Sequence, residues 1–199
     1  MHDRKIRDME ETYFADKEID SEGLSQGALP KGEYDGCTFN QLDLSGADLS
    51  GYSFLDCQFN NCNLGNMKLQ GTTMKTVAFR DCKLTGLQFT DCHPFLFAVS
   101  FKDCRLEYAS FHGKSMKETK FIRCDLTEVD FTESDLSRSV FDACVMSGAQ
   151  FSGANLEKAD LRTSEGFTID PRTTKLKKAM FRLSGLPGLL AAHDIIIEP

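Results

Sequence analysis

Long apolar runs are missing from this sequence. Nowhere do about 18 consecutive apolar residues occur, which excludes a membrane-spanning helix. An excess of basic residues is missing as well: 23 Lys and Arg stand against 30 Asp and Glu, a net charge of -7. Backbone affinity for phosphate needs clustered cations, so a general nucleic-acid binder is excluded and no direct nucleic-acid contact is expected. The N-terminal stretch MHDRKIRDMEETYFADKEID lacks the apolar core of an export signal and reads as cytoplasmic. Histidine is sparse. His2, His93, His112 and His193 form no pair at metal-ligand spacing. No nucleophile sits beside a base, no Gly-rich loop is built for phosphate, and no carboxylate pair stands apart. These absences point to a protein that is not an enzyme and uses no metal or cofactor.

Cysteine is plentiful, with eight residues. Without an export signal, reduced thiols are the expected state.

What the sequence has instead is a count of five. Large apolar residues fall at Leu24, Leu29, Tyr34, Phe39, Leu44, Leu49, Phe54, Phe59, Leu64, Leu69, Met74, Phe79, Leu84 and Phe89. They resume at Phe101 and run on through Leu106, Phe111, Met116, Phe121, Leu126, Phe131, Leu136, Phe141, Met146, Phe151, Leu156 and Leu161. On an α-helix, steps of five scatter around the axis; on a strand, an odd step alternates between faces. A chain that turns a corner every five residues keeps them all inward. Columns of like residues give the turn: Phe39, Phe59 and Phe79 lie 20 apart, as do Phe101, Phe121 and Phe141. Cys62, Cys82, Cys104, Cys124 and Cys144 form a second column, once two extra residues between Phe89 and Phe101 are allowed. The coil therefore has four sides, with turns stacked at about 4.8 Å.

With segments such as Ala47-Asp48-Leu49-Ser50-Gly51, Ala154-Asn155-Leu156 and Ala159-Asp160-Leu161, the chain resembles the pentapeptide-repeat proteins. The resemblance implies an all-β solenoid, a right-handed quadrilateral β-helix. From residue 22 to 163 there is room for roughly seven coils, a rod of about 35 Å. Residues 1–21 read as an N-terminal tail or cap, and 164–199 as a C-terminal capping module with a short helix and a strand at Ile195, Ile196 and Ile197. Ser184 or Gly185 opens that helix, with Pro187 in its first turn. Two readings stand for this end: an intrachain cap, or a homodimer interface through Leu186, Leu189, Leu190, Ile195 and Ile197. The resemblance to topoisomerase-protecting members, which dimerise through such a module, favours the second.

The repeat's small-residue slot departs from pattern at Leu42, Tyr52, Met67 and Leu87, and most sharply at Lys114. A buried, unpaired ammonium is very costly, so the Lys114 amine is expected to reach solvent or a carboxylate. The cysteines occupy the same kind of slot as Ala, Val, Ser and Thr, so core packing is the favoured reading over metal or redox chemistry. The two extra residues fall near 92–97. There the lattice predicts Leu96 inward with Phe95 and Phe97 partly outward, as a corner bulge or as an apolar contact point.

The lattice also sorts charge by side. The side through Leu44, Leu64, Leu84, Leu106, Leu126 and Met146 carries Asp43, Glu107, Asp125 and Glu128 against Lys83 and Arg105. The next, through Leu49, Leu69, Phe89, Phe111, Phe131 and Phe151, carries Asp48, Asp91, Asp130 and Glu133 against Lys68. Over residues 42–163 the other two sides hold ten bases and eight acids. Such acids serve solubility or recognition. The resemblance implies a DNA mimic that engages a type II topoisomerase, DNA gyrase or topoisomerase IV, and protects it from inhibitors. The alternative is a scaffold that binds another protein through a flat side of the rod.

Overall fold

The computed structural model describes residues 13–22, 24, 28–95, 97–193 and 195–198. The chain is a parallel β-solenoid. One sheet of seven strands takes one short strand from each successive turn: Glu18–Ile19, Thr38–Asn40, Gln58–Asn60, Val77–Arg80, Val99–Lys102, Lys120–Ile122 and Val140–Asp142. The adjoining side is a four-stranded sheet of Tyr13–Ala15, Glu33–Asp35, Ser53–Leu55 and Thr73–Lys75. The remaining sides are held by isolated parallel bridges such as Asn63↔Lys83, Lys83↔Arg105 and Ser110↔Asp130. At most corners, two residues after the inward side chain, the backbone takes a positive φ, as at Asn61, Thr76, Asp81 and Arg123.

The register follows the columns. Phe39 pairs with Phe59, Phe59 with Phe79, Phe79 with Phe101 and Phe121 with Phe141. Their rings lie flat on one another: Phe79 and Phe101 are 5.3 Å apart at 9°, across the two-residue insertion. A second stack runs through Phe89, Phe111, Phe131 and Phe151, and meets the first edge to face. Burying each such ring contributes roughly 1.5–3 kcal/mol, and each ring pair about 0.5–1.5 kcal/mol more. A continuous run of ring contacts thus links Phe14 to Phe151 along the rod.

All eight cysteines are free and buried. Several thiols donate to carbonyls of the turn below, as Cys57 to Tyr34 O (3.3 Å), Cys82 to Phe59 O (3.4 Å) and Cys144 to Phe121 O (3.4 Å). Hydroxyls in equivalent slots do the same: Thr72 to Leu49 O at 2.7 Å, Ser139 to Met116 O at 2.9 Å. Burial pushes the Cys57 and Cys92 thiols up to about 12, away from nucleophilic or metal-binding form. Cys37, Cys57, Cys62, Cys82, Cys104, Cys124 and Cys144 act here as small side chains that donate to backbone carbonyls, and Cys92 fills its slot by packing.

The coil extends past both expected boundaries. Tyr13–Ala15 pairs with Glu33–Asp35, and Phe14 stacks on Tyr34 at 4.7 Å, so the lattice begins before residue 22. Ile19 pairs with Phe39 in the same way. At the other end Asn155 bridges Lys175 and Asp160 bridges Met180, so the last turn reaches beyond residue 163. Thr174, Leu176, Ala179 and Phe181 there repeat the pattern of small slot and large inward residue.

Between these, residues 166–173 break the pattern. Phe167 and Ile169 are buried where the period asks for residues 166 and 171, and Pro171 lies exposed. Helix α1, Pro187–Leu190 with its proline at the first turn, closes over this segment. Ile169 N donates to Gly188 O at 3.0 Å. A Cβ on Gly188 would stand 2.2 Å from the Phe167 carbonyl oxygen, and one on Gly185 would stand 2.7 Å from the Phe167 ring. Only glycine lets the helix sit this close. The expected strand at Ile195, Ile196 and Ile197 does not form: these residues join no ladder, and Ile196 is 92% exposed.

Candidate binding surfaces

The insertion is built around Cys92 and Lys114, which share one slot column across successive turns. In that column the residue after each slot donates its amide to the carbonyl below, as His93 N to Thr72 O (2.8 Å) and Asp135 N to Lys114 O (2.9 Å). At Cys92 the donor is the Lys114 ammonium, 2.5 Å from the carbonyl oxygen. Lys114 is 6% exposed, and its Nζ lies 5.1 Å from the centre of the Phe97 ring. This corrects the expectation of an amine in solvent or on a carboxylate. A carbonyl stripped of its ladder partner and an aromatic face solvate the charge inside the coil. Burial pulls the Lys114 pKa below its ordinary value, opposed by Cys92 and Asp91.

Phe97 is corrected too. It is buried and packs on Phe89 at 6.0 Å, because Ala98 takes the backbone bonds to Met74 O and from Val77 N, leaving residues 97 and 99 to point inward. Phe95 is 69% exposed on the bulge. Leu96 lies outside the described residues. The bulge therefore presents one aromatic ring to solvent.

The acidic sides separate into two kinds of carboxylate. Asp43, Asp48, Asp125 and Asp130 stand just before an inward residue and each caps its own corner. Asp43 accepts from Ser45 N and Oγ at 3.0 and 2.6 Å, Asp48 from Ser50 N at 3.0 Å. Asp125 accepts from Thr127 N and Oγ1 at 3.0 and 2.6 Å, and Asp130 from Thr132 N at 2.8 Å. The hydrogen bonds from the two serines hold the carboxyls of Asp43 and Asp48 below the usual range. Here the acid shapes the turn first. Glu107 is held by Arg105 at 2.8 Å.

The others project. Glu128 and Glu133 occupy the positive-φ corner positions and are exposed, with His112 Nε2 3.8 Å from Glu133. Asp91 is exposed at the start of the bulge. Tyr108, 64% exposed, stands one turn below Glu128 in the same corner column. Sequence reasoning passed over this tyrosine, although its corner position in the count of five marks it as an outward aromatic. Column neighbours break up the acids: Asp43 is followed upward by Asn63, Lys83, Arg105 and Asp125.

At the C-terminus, Leu189 packs partly on the core, while Leu186 (39%), Leu190 (38%), Ile195 (54%) and Ile197 (48%) stay open. Among the described residues no helix is long and apolar enough to cross a membrane.

The repeat extends through family models as well: a pentapeptide repeat region matches residues 33–111, and pentapeptide repeats match 100–138 and 124–162. The chain belongs to the pentapeptide-repeat family. Among solved structures it is similar to QnrB1, described as a plasmid-mediated fluoroquinolone resistance protein, at 21% identity and a TM-score of 0.47, over 92% of this chain and 97% of that one. It is also similar to HetL, a pentapeptide-repeat protein involved in heterocyst differentiation regulation in the cyanobacterium Nostoc, at 17% identity and a TM-score of 0.46, over 84% and 86%. Rfr23 from the cyanobacterium Cyanothece matches at 16% identity and a TM-score of 0.26, over 73% and 88%. No curated protein matches in sequence.

Proposed function

We propose that this pentapeptide-repeat protein is a non-enzymatic binding protein, working in the cytoplasm, that engages the DNA-binding saddle of a type II topoisomerase, DNA gyrase or topoisomerase IV, through its two acidic sides. The observation that carries this reading is the placement of carboxylates. Eight acids against three bases stand on two adjoining sides of a rod whose core is continuous along its length. Glu128, Glu133 and Asp91 are free of turn-capping duty, and Tyr108 adds an exposed aromatic of the kind enriched at protein interfaces. A duplex of the same length carries roughly 20 charges, far more than these sides, so shape and the tyrosine carry much of the binding. The exposed Leu186, Leu190, Ile195 and Ile197 pair two such rods end to end in a homodimer.

The test is gyrase supercoiling with and without purified protein, and with and without a quinolone. A change in either condition at micromolar protein supports the reading; no change in both removes it. A second reading, a scaffold that binds another protein through a flat side, is favoured by the local capping roles of Asp43, Asp48, Asp125 and Asp130, which account for half of the acids without any partner.

A further inference from the structure

The last turn of the coil carries a charge pattern opposite to that of the chain. Residues 171–193 hold Arg172, Lys175, Lys177, Lys178 and Arg182 and no Asp or Glu, in a protein of net charge -7. Arg172 is spent on Asp170, 2.7 Å away. Lys175, Lys177, Lys178 and Arg182 are exposed, as is Lys158 one turn below, and none makes an ion pair among the described residues. Lys175 lies in ladder register over Asn155, and Lys177 O accepts from Lys158 N at 3.0 Å, so these lysines crowd one side of the rod. That side is the four-stranded one, across the coil from the side of Asp43, Glu107, Asp125 and Glu128. Around the next corner, on the seven-stranded side where Met180 bridges Asp160, follow Met180 at 40%, Arg182 and Leu183 at 83%, so the surface wraps the edge between two sides.

We infer that Lys158, Lys175, Lys177, Lys178 and Arg182, with Met180 and Leu183, form a second docking surface for an acidic protein segment that carries apolar residues among its carboxylates. Unpaired cations on a negative protein attract a polyanion locally while the whole chain repels it at long range, which favours a short segment over a long one. A phosphate backbone offers nothing to Met180 and Leu183, so an acidic peptide fits better than a duplex. Because the lysines and the acids of the Leu44 side lie across the coil from each other, both surfaces are usable at once. This inference does not depend on the topoisomerase reading.

The test is fluorescence anisotropy with a labelled peptide of repeated Glu-Glu-Leu, a labelled DNA duplex of equal charge, and co-sedimentation with vesicles containing phosphatidylglycerol. The expected result is peptide binding that weakens with salt and falls about tenfold in the Lys175→Gln, Lys177→Gln, Lys178→Gln triple variant, from three exposed charge contacts of ordinary size. Leu183→Ala also weakens it, whereas Lys68→Gln with Lys83→Gln leaves it unchanged, and all variants melt with the wild type. The inference is overturned if the peptide does not bind, if the triple variant binds equally well, or if the duplex or the vesicles bind more tightly than the peptide.

Discussion

Two places interrupt the count of five, and they do so in opposite ways. At Cys92 to Phe97 the chain gains two residues, yet each inward column continues above them, with Phe101 stacked on Phe79. At residues 166–173 the chain gains none, since Asn155 still pairs with Lys175, yet the expected inward positions fall to Gly166 and Pro171. The first break is repaired inside the coil by Lys114 and Phe97. The second is repaired from outside by α1 lying on Phe167. The ladder of backbone bonds therefore sets the turn length, and side chains adapt to whatever space the ladder leaves.

Predictions follow from that contrast. The greatest loss is expected in the aromatic stack that continues past the first break: Phe101→Ala should cost about 3–5 kcal/mol in a denaturant titration, whereas Phe95→Ala on the bulge should stay within about 0.5 kcal/mol. A smaller loss marks the internal repair. Lys114→Ala strands the Cys92 carbonyl and should cost roughly 1–3 kcal/mol by the same titration. Comparable in size is the external repair, where Gly188→Ala places a methyl against the Phe167 carbonyl. It should cost about 1–3 kcal/mol and expose the segment after residue 182 to protease while the coil stays folded.

The pH dependence of the internal repair has a definite sign. The Lys114 pKa is lowered in the folded state, so the unfolded chain binds the extra proton. Its burden on stability is full at pH below the folded pKa and is relieved as pH rises from there toward 10.5. Wild type should accordingly gain stability relative to Lys114→Met over that window, read from melting curves at successive pH values. The smallest effect is a gain: Thr76 is β-branched at φ 58°, and Thr76→Asn should stabilise the coil by about 0.5 kcal/mol.

The columns were legible in the sequence because a period of five with like residues 20 apart admits only a four-sided coil. Less legible were the places where the ladder and the side chains part company. Leu176 and Phe181 resume the period after a gap, but the broken stretch around Pro171 hides that they keep register with Leu156 and Leu161. Phe97 turns inward because Ala98 takes the ladder bonds, and no count of residues fixes which of two neighbours does so. The acids could be assigned to sides by number alone. That Asp43 and Asp48 cap corners while Glu128 and Glu133 project follows from hydrogen bonds to the residue two ahead, a local signal present in the Asp-x-Ser and Asp-x-Thr spacing.

This division of labour among the acids gives the most direct test of the functional account. The Glu128→Lys, Glu133→Lys double variant changes only projecting side chains and should melt close to the wild type. In the gyrase supercoiling assay with and without a quinolone, the wild type is predicted to alter the outcome and the double variant to lose that effect. A double variant that acts like the wild type would contradict the claim that the acidic sides are the contact.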